Sequence, residues 1–216
     1  MEITFRKAIE TDIDFITEGI IHAELSGGKI LPYSALFGLT ETETKLLIEA
    51  VIEEEIEGQE WYLPNFHILE VNKQSACCLS NWIEANNGTG SGLLKAQAMA
   101  WILREKWTEA SKKLACLKGT QLPRIQQALQ LECIYTKKEF RGHGLASKLI
   151  EHSIYEWAAT PNKPKMAEIQ LLANNEAALR SYTKCGFLLR AEATSTDPEI
   201  LNLLAHHTRV SLTKIF

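Results

Sequence analysis

One short stretch of the chain decides the fold, Arg141-Gly142-His143-Gly144-Leu145-Ala146. It follows an apolar run that predicts a strand over Leu129–Thr136, and it precedes an amphipathic pattern that predicts a helix over 145–157. The first amides of a helix have no intrahelical acceptor, and the helix dipole favours an anion there. Gly142 and Gly144 let the backbone approach phosphate oxygens without a Cβ clash. The stretch is therefore typical of a pyrophosphate site, although an ordinary glycine-eased turn from strand to helix has the same pattern.

Two other phosphate sites do not fit this turn. A P-loop needs Gly-Lys-Ser/Thr, which is absent here, and the third glycine of a dinucleotide fingerprint is replaced by Ser147. A nucleotide-phosphate enzyme is therefore disfavoured. Positive charge near the turn comes from Lys137, Lys138, Arg141 and Lys148.

A second motif follows the next predicted strand, which covers 167–172. It consists of five residues at fixed spacing, Asn175, Ala178, Tyr182, Gly186 and Phe187. At average residue usage, this combination arises by chance in roughly one in ten thousand chains. Asn175 is a good helix N-cap and Gly186 a good C-terminal stop. Ala178 and Tyr182 lie one turn apart on the same helix face, so both can flank one ligand.

Together the two motifs resemble the GNAT superfamily of N-acetyltransferases. The resemblance is specific for about residues 129–190, and it implies an α/β (α+β) fold with a mixed, mostly antiparallel sheet flanked by helices. The two parallel strands, Leu129–Thr136 and 167–172, would splay apart and admit the pantetheine arm of acetyl-CoA. The chain departs from the family at residues 85–127, where members commonly have a short turn.

The resemblance also implies a set of acetyl-CoA-binding residues and no metal ion. Ile134 and Thr136 would contact the pantetheine arm through backbone groups. The residues that would bind the cosubstrate are Ile134, Thr136, Arg141, Gly142, His143, Gly144, Leu145, Ala146, Ser147, Asn175 and Ala178.

The implied activity is transfer of an acetyl group from acetyl-CoA to a primary amine of a small molecule or peptide. Tyr182 matches the family tyrosine that donates a proton to the leaving thiolate, although a packing tyrosine would occupy the same helix face. Glu132 is the candidate base, because strand alternation places it on the same side as Thr136, facing the gap. A surface-facing or structurally paired Glu132, with a water chain as base, is the alternative. A degenerate acyl-CoA-binding domain with a regulatory or protein-interaction role is the alternative function.

Residues 1–216 are predicted to form a single domain that carries a helical insertion at about 86–128. Trp101, Ile102 and Trp107 require burial, and Leu94, Ala98 and Ile102 form a stripe at helical spacing. The stripe is expected to dock on the domain's own sheet or on a second copy of the chain. The alternative is a lid over the amine acceptor, hinged at the glycines of residues 88–92.

The outer parts of the chain have ordinary patterns of strands and helices. Alternation predicts strands over 4–8, Phe66–Val71 and 75–83, and closing strands over 187–192 and 208–216. Helices are predicted from Thr11 or Asp12 to about Ser26, and from Thr40 to about Ile56. The segment between them, with Pro32, Tyr33 and Phe37, is predicted to be a loop. Residues 26–40 and the insertion are the expected acceptor loops.

Composition narrows the classes of partner. The chain has 216 residues and a net charge of −4, which argues against a nucleic-acid surface. No apolar run approaches the ~20 residues that span a bilayer, so no membrane partner is expected. The cysteines, at 77, 78, 116, 133 and 185, form no CxxC pair and indicate a reduced, cytoplasmic protein. His206-His207 lacks the spacing of a zinc site. A homodimer is the assembly to consider first, since dimers are the commonest homo-oligomers.

Overall fold

A computed structural model of the chain describes residues 2–161 and 163–216, so Met1 and Asn162 of the predicted 1–216 domain lie outside the described residues. Seven strands form one sheet in the order β1-β2-β3-β4-β5-β7-β6. The strands are β1 (Ile3–Lys7), β2 (Phe66–Val71), β3 (Gln74–Ile83), β4 (Leu129–Thr136), β5 (Met166–Leu172), β6 (Leu188–Thr194) and β7 (Thr208–Ile215). Every neighbouring pair is antiparallel except β4 with β5, which is parallel. The predicted mixed, mostly antiparallel sheet is confirmed.

Seven α-helices cover the two faces of the sheet within the described residues. They are α1 (Ile13–Leu25), α2 (Pro32–Phe37), α3 (Glu41–Glu53), α4 (Ser91–Leu103), α5 (Glu105–Ser111), α6 (Leu145–Ala158) and α7 (Glu176–Lys184). An apolar cluster on one face joins α1 to α5 with Ile68, Cys78 and Tyr135 of the sheet. A second cluster on the opposite face joins α6 and α7 with Leu129 and Leu131. We call these the α1 face and the α6 face.

The parallel strands β4 and β5 separate soon after they begin. Their pairing consists of Leu129 with Ala167 and Gln130 with Glu168. From Leu131 onward β4 runs free of β5 while it remains paired with β3 up to Thr136. The predicted splay is therefore present. Backbone groups of β4 that face the gap are left for a ligand, since a buried amide or carbonyl requires a partner.

A bulge interrupts β4 at Cys133, whose φ is +52°. The pairing with β3 slips here, because Tyr135 lies opposite Cys78 whereas Glu132 lies opposite Ser80. An extra residue reverses the alternation of side chains beyond it. Cys133 and Tyr135 consequently pack in the α1-face cluster, and Ile134 packs in the α6-face cluster. The alternation argument that put Glu132 and Thr136 on one side is therefore wrong.

The insertion is helical, as predicted, and it packs on the protein's own helices. Ala98, Met99 and Ala110 are buried in the α1-face cluster, and the Trp107 ring lies 5.7 Å from that of Phe37 in α2. Trp101 departs from the prediction, because 67% of its surface is exposed. The Arg104 guanidinium carbon lies 5.7 Å from the centroid of its ring. The stripe at Ala98 and Ile102 therefore faces the helices of the α1 face, and Trp101 points the other way.

The helices show two further differences from prediction. The segment predicted to be a loop contains α2, which begins at Pro32, a residue that suits the first position of a helix. The cap at Thr40 is confirmed, because its hydroxyl accepts from the Glu43 amide at 3.2 Å. Helix α3 ends at Glu53, three residues before the predicted end.

Candidate active site

One cavity of about 740 Å³ opens between the splayed strands. Residues 131–136 of β4 and 169–172 of β5 line its walls, the turn before α6 lines one end, and the last turn of α1 lines the other. The cavity brings together twelve of the thirteen predicted site residues: Glu132, Ile134, Thr136, Arg141, Gly142, Gly144, Leu145, Ala146, Ser147, Asn175, Ala178 and Tyr182. His143 is the exception, since its ring contacts the Phe140 carbonyl at 3.2 Å and does not line the cavity.

The glycine turn has a backbone that favours glycine at two positions. Gly142 has φ +82° and Gly144 has φ +70°, and no protein atom lies within 4 Å of a Cβ built at either position. Gly144 is the N-cap of α6, so the unpaired amides of the first helical turn follow it directly. The Arg141 side chain is anchored to the Thr136 carbonyl at 3.0 Å. The turn therefore has open space, free amides and positive charge, which suit a phosphate group.

Tyr182 lies in the same cavity on α7. Its ring packs in the α6-face cluster and only 8% of the residue is exposed. Burial raises the pKa of its hydroxyl, and the negative charge of Glu132 raises it further. The phenol therefore stays protonated at neutral pH and can act as a proton donor. Asn175 caps the same helix, because its side-chain oxygen accepts from the Ala178 amide at 3.2 Å.

Glu132 belongs to a buried charge network on the α1 face that the sequence did not predict. Its Oε1 accepts from Arg124 at 2.8 Å, and Arg124 donates to Glu60 Oε1 at 2.6 Å. Glu60 also pairs with Lys95 of α4, whose ammonium lies 4.6 Å from the Trp61 ring centroid. Glu60 is 5% exposed, and its two cationic partners hold its carboxyl pKa at about 2, against the effect of burial. Both cations come from the insertion.

The last turn of α1 forms the other end of the cavity. His22 stacks on the Tyr135 ring with centroids 4.8 Å apart, and Glu24 accepts a long hydrogen bond, 3.4 Å, from the Tyr33 hydroxyl. Burial raises the pKa of the Glu24 carboxyl. Arg209, the second residue of β7, lines the cavity nearby. No motif marked Glu24 or Arg209 in the sequence.

A second cavity, of about 880 Å³, lies on the opposite side of α1. It is an open groove that holds the carboxylates of Asp12, Asp14, Glu18 and Glu139 together with the ammonium groups of Lys45 and Lys137. None of the motif residues of the glycine turn or α7 lines it. The cavity between the splayed strands is therefore the candidate active site.

Comparison with known proteins agrees with this geometry. A model of the acetyltransferase (GNAT) family matches residues 59–187. This chain therefore belongs to the GNAT family of acetyltransferases, which use acetyl-CoA as the acyl donor. A search of curated proteins finds no match.

Solved structures share the fold at low sequence identity. An N-acetyltransferase from Staphylococcus aureus Mu50 has a TM-score of 0.68 at 16% identity, over 98% of this chain and 100% of its own. A GNAT-family acetyltransferase from Streptococcus agalactiae 2603 has a TM-score of 0.53 at 14% identity, over 99% and 95%. Arabidopsis thaliana NAA60, solved with acetyl-CoA, has a TM-score of 0.55 at 12% identity, over 100% and 99%.

Among residues 2–161 and 163–216, no helix is long and apolar enough to cross a membrane. In the same ranges, no group of three or more His, Cys, Asp or Glu side chains is arranged to hold a metal ion. The five cysteines are free, and all except Cys116 are buried.

Proposed function

We propose that the protein transfers the acetyl group of acetyl-CoA to a primary amine of a small molecule or peptide. One observation carries the proposal: a single cavity joins the glycine turn at Gly144, the gap beside Ile134, and the pair Glu132 and Tyr182. A phosphate site, a slot and two proton-transfer groups thus follow one another in the order that an acyl-CoA thioester and an amine require.

The pyrophosphate would bind the turn of residues 141–147, with backbone amides donating to its oxygens. The pantetheine arm would follow the gap and pair with backbone groups of Ile134 and Thr136. Ala178 and Asn175 would border the arm from α7. His143 would contribute through its backbone, since its ring lies outside the cavity lining.

In the proposed reaction the amine nitrogen attacks the thioester carbon, and the amide bond forms as the C–S bond breaks. Glu132 would accept the proton that the amine loses, and Tyr182 would give a proton to the departing thiolate. The Glu132 carboxylate is held in position by its ion pair with Arg124, and not by the strand alternation expected from the sequence. Holding both reactants in one cavity would supply a large part of the rate enhancement.

The ion pair of Glu132 with Arg124 occupies the candidate base and so favours the alternative function, an acyl-CoA-binding domain without turnover. Release of CoA thiol, measured with a panel of amines, separates the two. CoA release that depends on an added amine supports the enzyme. Tight acetyl-CoA binding with no release for any amine supports the binding domain.

Gly144→Val is expected to weaken acetyl-CoA binding by at least about 10-fold. A β-branched residue at φ +70° is strained, and its side chain would fill the space open to the pyrophosphate. Titration calorimetry measures the affinity. Gly38→Val is the matched control, because Gly38 also has a positive φ, +62°, with open space around it, and does not line the cavity. Equal loss of affinity in both variants would show that strain alone, and not phosphate contact, is responsible.

The single domain over 1–216, the cytoplasmic location, the homodimer and the lack of nucleic-acid or membrane partners remain predictions. Light scattering of the purified protein tests the homodimer directly.

A further inference from the structure

Two side chains of opposite charge line the cavity near the last turn of α1, where the amine acceptor would bind. They are Glu24 from α1 and Arg209 from β7. They lie on the same side of the sheet. Val210 and Leu212 pack in the α6-face cluster, so the alternation of β7 places Arg209 on the α1 face, where α1 carries Glu24.

Neither group is held in an ion pair among the described residues, although Glu24 accepts a long hydrogen bond from the Tyr33 hydroxyl, to which Lys95 donates. Among the ion pairs within 4.0 Å in the described part of the chain, none includes Glu24 or Arg209. The neighbouring network of Glu60, Arg124 and Glu132 is different, because its charges satisfy one another. A charged group that is partly withdrawn from water and left without a partner is costly unless a ligand supplies one.

The two groups influence each other across the cavity. Burial and the charges of Glu60 and Glu132 raise the pKa of the Glu24 carboxyl, whereas the positive charges of Lys95 and Arg209 lower it. They are therefore within electrostatic range of each other but too far apart to pair directly. A ligand that brings a cation to Glu24 and an anion to Arg209 would give each side chain an oppositely charged partner.

We propose that the amine acceptor is a small zwitterion, a primary amine with a carboxylate or similar anion beside it, as in a free α-amino acid. This inference rests on the proposed acetyl transfer and names the substrate class. Glu24 binds the ammonium group as the acceptor arrives, and Arg209 binds the anion through its planar guanidinium, which can donate two parallel hydrogen bonds to a carboxylate. The amine nitrogen then lies between Glu24 and Glu132, where it can lose its proton. A peptide acceptor presents an amide at the place where Arg209 requires an anion.

The test compares free amino acids with the corresponding amino-acid amides, in which a neutral amide replaces the anion, and kcat/KM is compared per concentration of neutral amine. The native protein is expected to have a kcat/KM at least about 10-fold higher for the acid. Arg209→Met is expected to lower kcat/KM for the acid by about 10–100-fold and to bring the acid-to-amide ratio close to one, as loss of a charged hydrogen bond predicts. Arg209→Lys keeps the charge and is expected to retain part of the preference.

Two further variants separate recognition of the anion from general damage. Glu24→Gln is expected to raise KM for acid and amide alike and to leave their ratio as in the native protein, because both acceptors carry the amine. Arg104→Met, at an exposed position of the insertion outside the cavity lining, is the matched control for loss of an arginine without an ion pair among the described residues. It is expected to keep the native ratio.

Calorimetry of the acceptors on CoA-saturated protein gives a readout that does not depend on turnover. Tighter binding of the acid than of the amide, lost in Arg209→Met, supports the inference. Equal binding of acid and amide by the native protein overturns it, as does an acid-to-amide ratio that Arg209→Met leaves unaltered. Turnover of simple amines with no preference for an anion overturns the zwitterion inference and leaves the proposed acetyl transfer in place. Selective acid binding without any turnover supports the inference and contradicts the proposed acetyl transfer.

Discussion

Tyr182→Phe is expected to lower kcat by about 10²–10⁴-fold, the range for loss of a general acid or base. Phenylalanine keeps the ring that packs in the α6-face cluster and removes only the hydroxyl, so the fold and acetyl-CoA binding should be retained. Burial keeps that hydroxyl protonated, and without it the thiolate must leave uncompensated or take a proton from water. Steady-state and single-turnover rates of CoA release measure the effect.

Tyr155→Phe is the matched control for this prediction. Tyr155 lies on α6 with 75% of its surface exposed, and it does not line the cavity. Its variant should have the native kcat. A Tyr182→Phe protein with native kcat and native single-turnover rate would reduce Tyr182 to a packing residue, the alternative that the sequence left open.

Glu60→Gln is expected to lower the free energy of unfolding by about 3–5 kcal/mol, the usual cost of removing one partner from a buried ion pair. Glu60 is buried and accepts from both Lys95 and Arg124, so neutralising it leaves Lys95 without a carboxylate partner and Arg124 with Glu132 alone. Urea unfolding, followed by circular dichroism, measures the change. A second consequence is slower turnover, because Arg124 also positions Glu132.

The same carboxyl group, that of Glu60, makes the stability of the fold depend on pH. The pKa of Glu60 falls from an ordinary 4.5 to about 2 on folding, so the folded state binds this proton less tightly than the unfolded chain. The stabilisation is then complete above pH 4.5 and is lost as the pH falls through the folded-state pKa. The Glu60→Gln variant should lack this part of the acid sensitivity.

Glu109→Gln provides the control for both measurements. Glu109 pairs with Lys112 at the surface, where 74% of its side chain is exposed. Exposed pairs contribute little, so its stability should lie within about 0.5 kcal/mol of the native value. If Glu60→Gln were as stable as Glu109→Gln, the buried network would contribute no net stability and would serve only to arrange the cavity.

The sequence predicted the parts of the molecule that depend on local patterns. Gly142 and Gly144 predicted a turn from strand to helix, and Asn175 predicted a helix N-cap, and the structure contains both. Six of the seven α-helices within the described residues were predicted, the two in the insertion only as a helix-rich stretch. All seven strands within the described residues were predicted as well. Alternation and helical spacing are local patterns that the sequence shows directly. The proton-transfer roles of Tyr182 and Glu132 remain proposals.

Other features depended on contacts between distant residues. No local signal marks Cys133 as a bulge, since it arises where β4 must pair with β3 and yet curve away from β5. Trp101 was expected to be buried because of its size, but the insertion packs through the adjacent helix face. Arg209 and Glu24 are far apart in the chain, and only the folded sheet brings them to one cavity. Ion pairs such as Arg124 with Glu132 are equally invisible before folding.

The charge network also bears on how this protein could have evolved. Lys95 and Arg124 lie in the insertion, whereas their partners Glu60 and Glu132 lie outside it. A relative that lost the insertion would leave these two carboxylates without their cationic partners beside the candidate active site. Such a loss would need simultaneous replacements at both glutamates. The insertion and the two glutamates therefore depend on each other. Homologous chains should gain or lose the insertion together with these acids, and a family alignment would show that pattern.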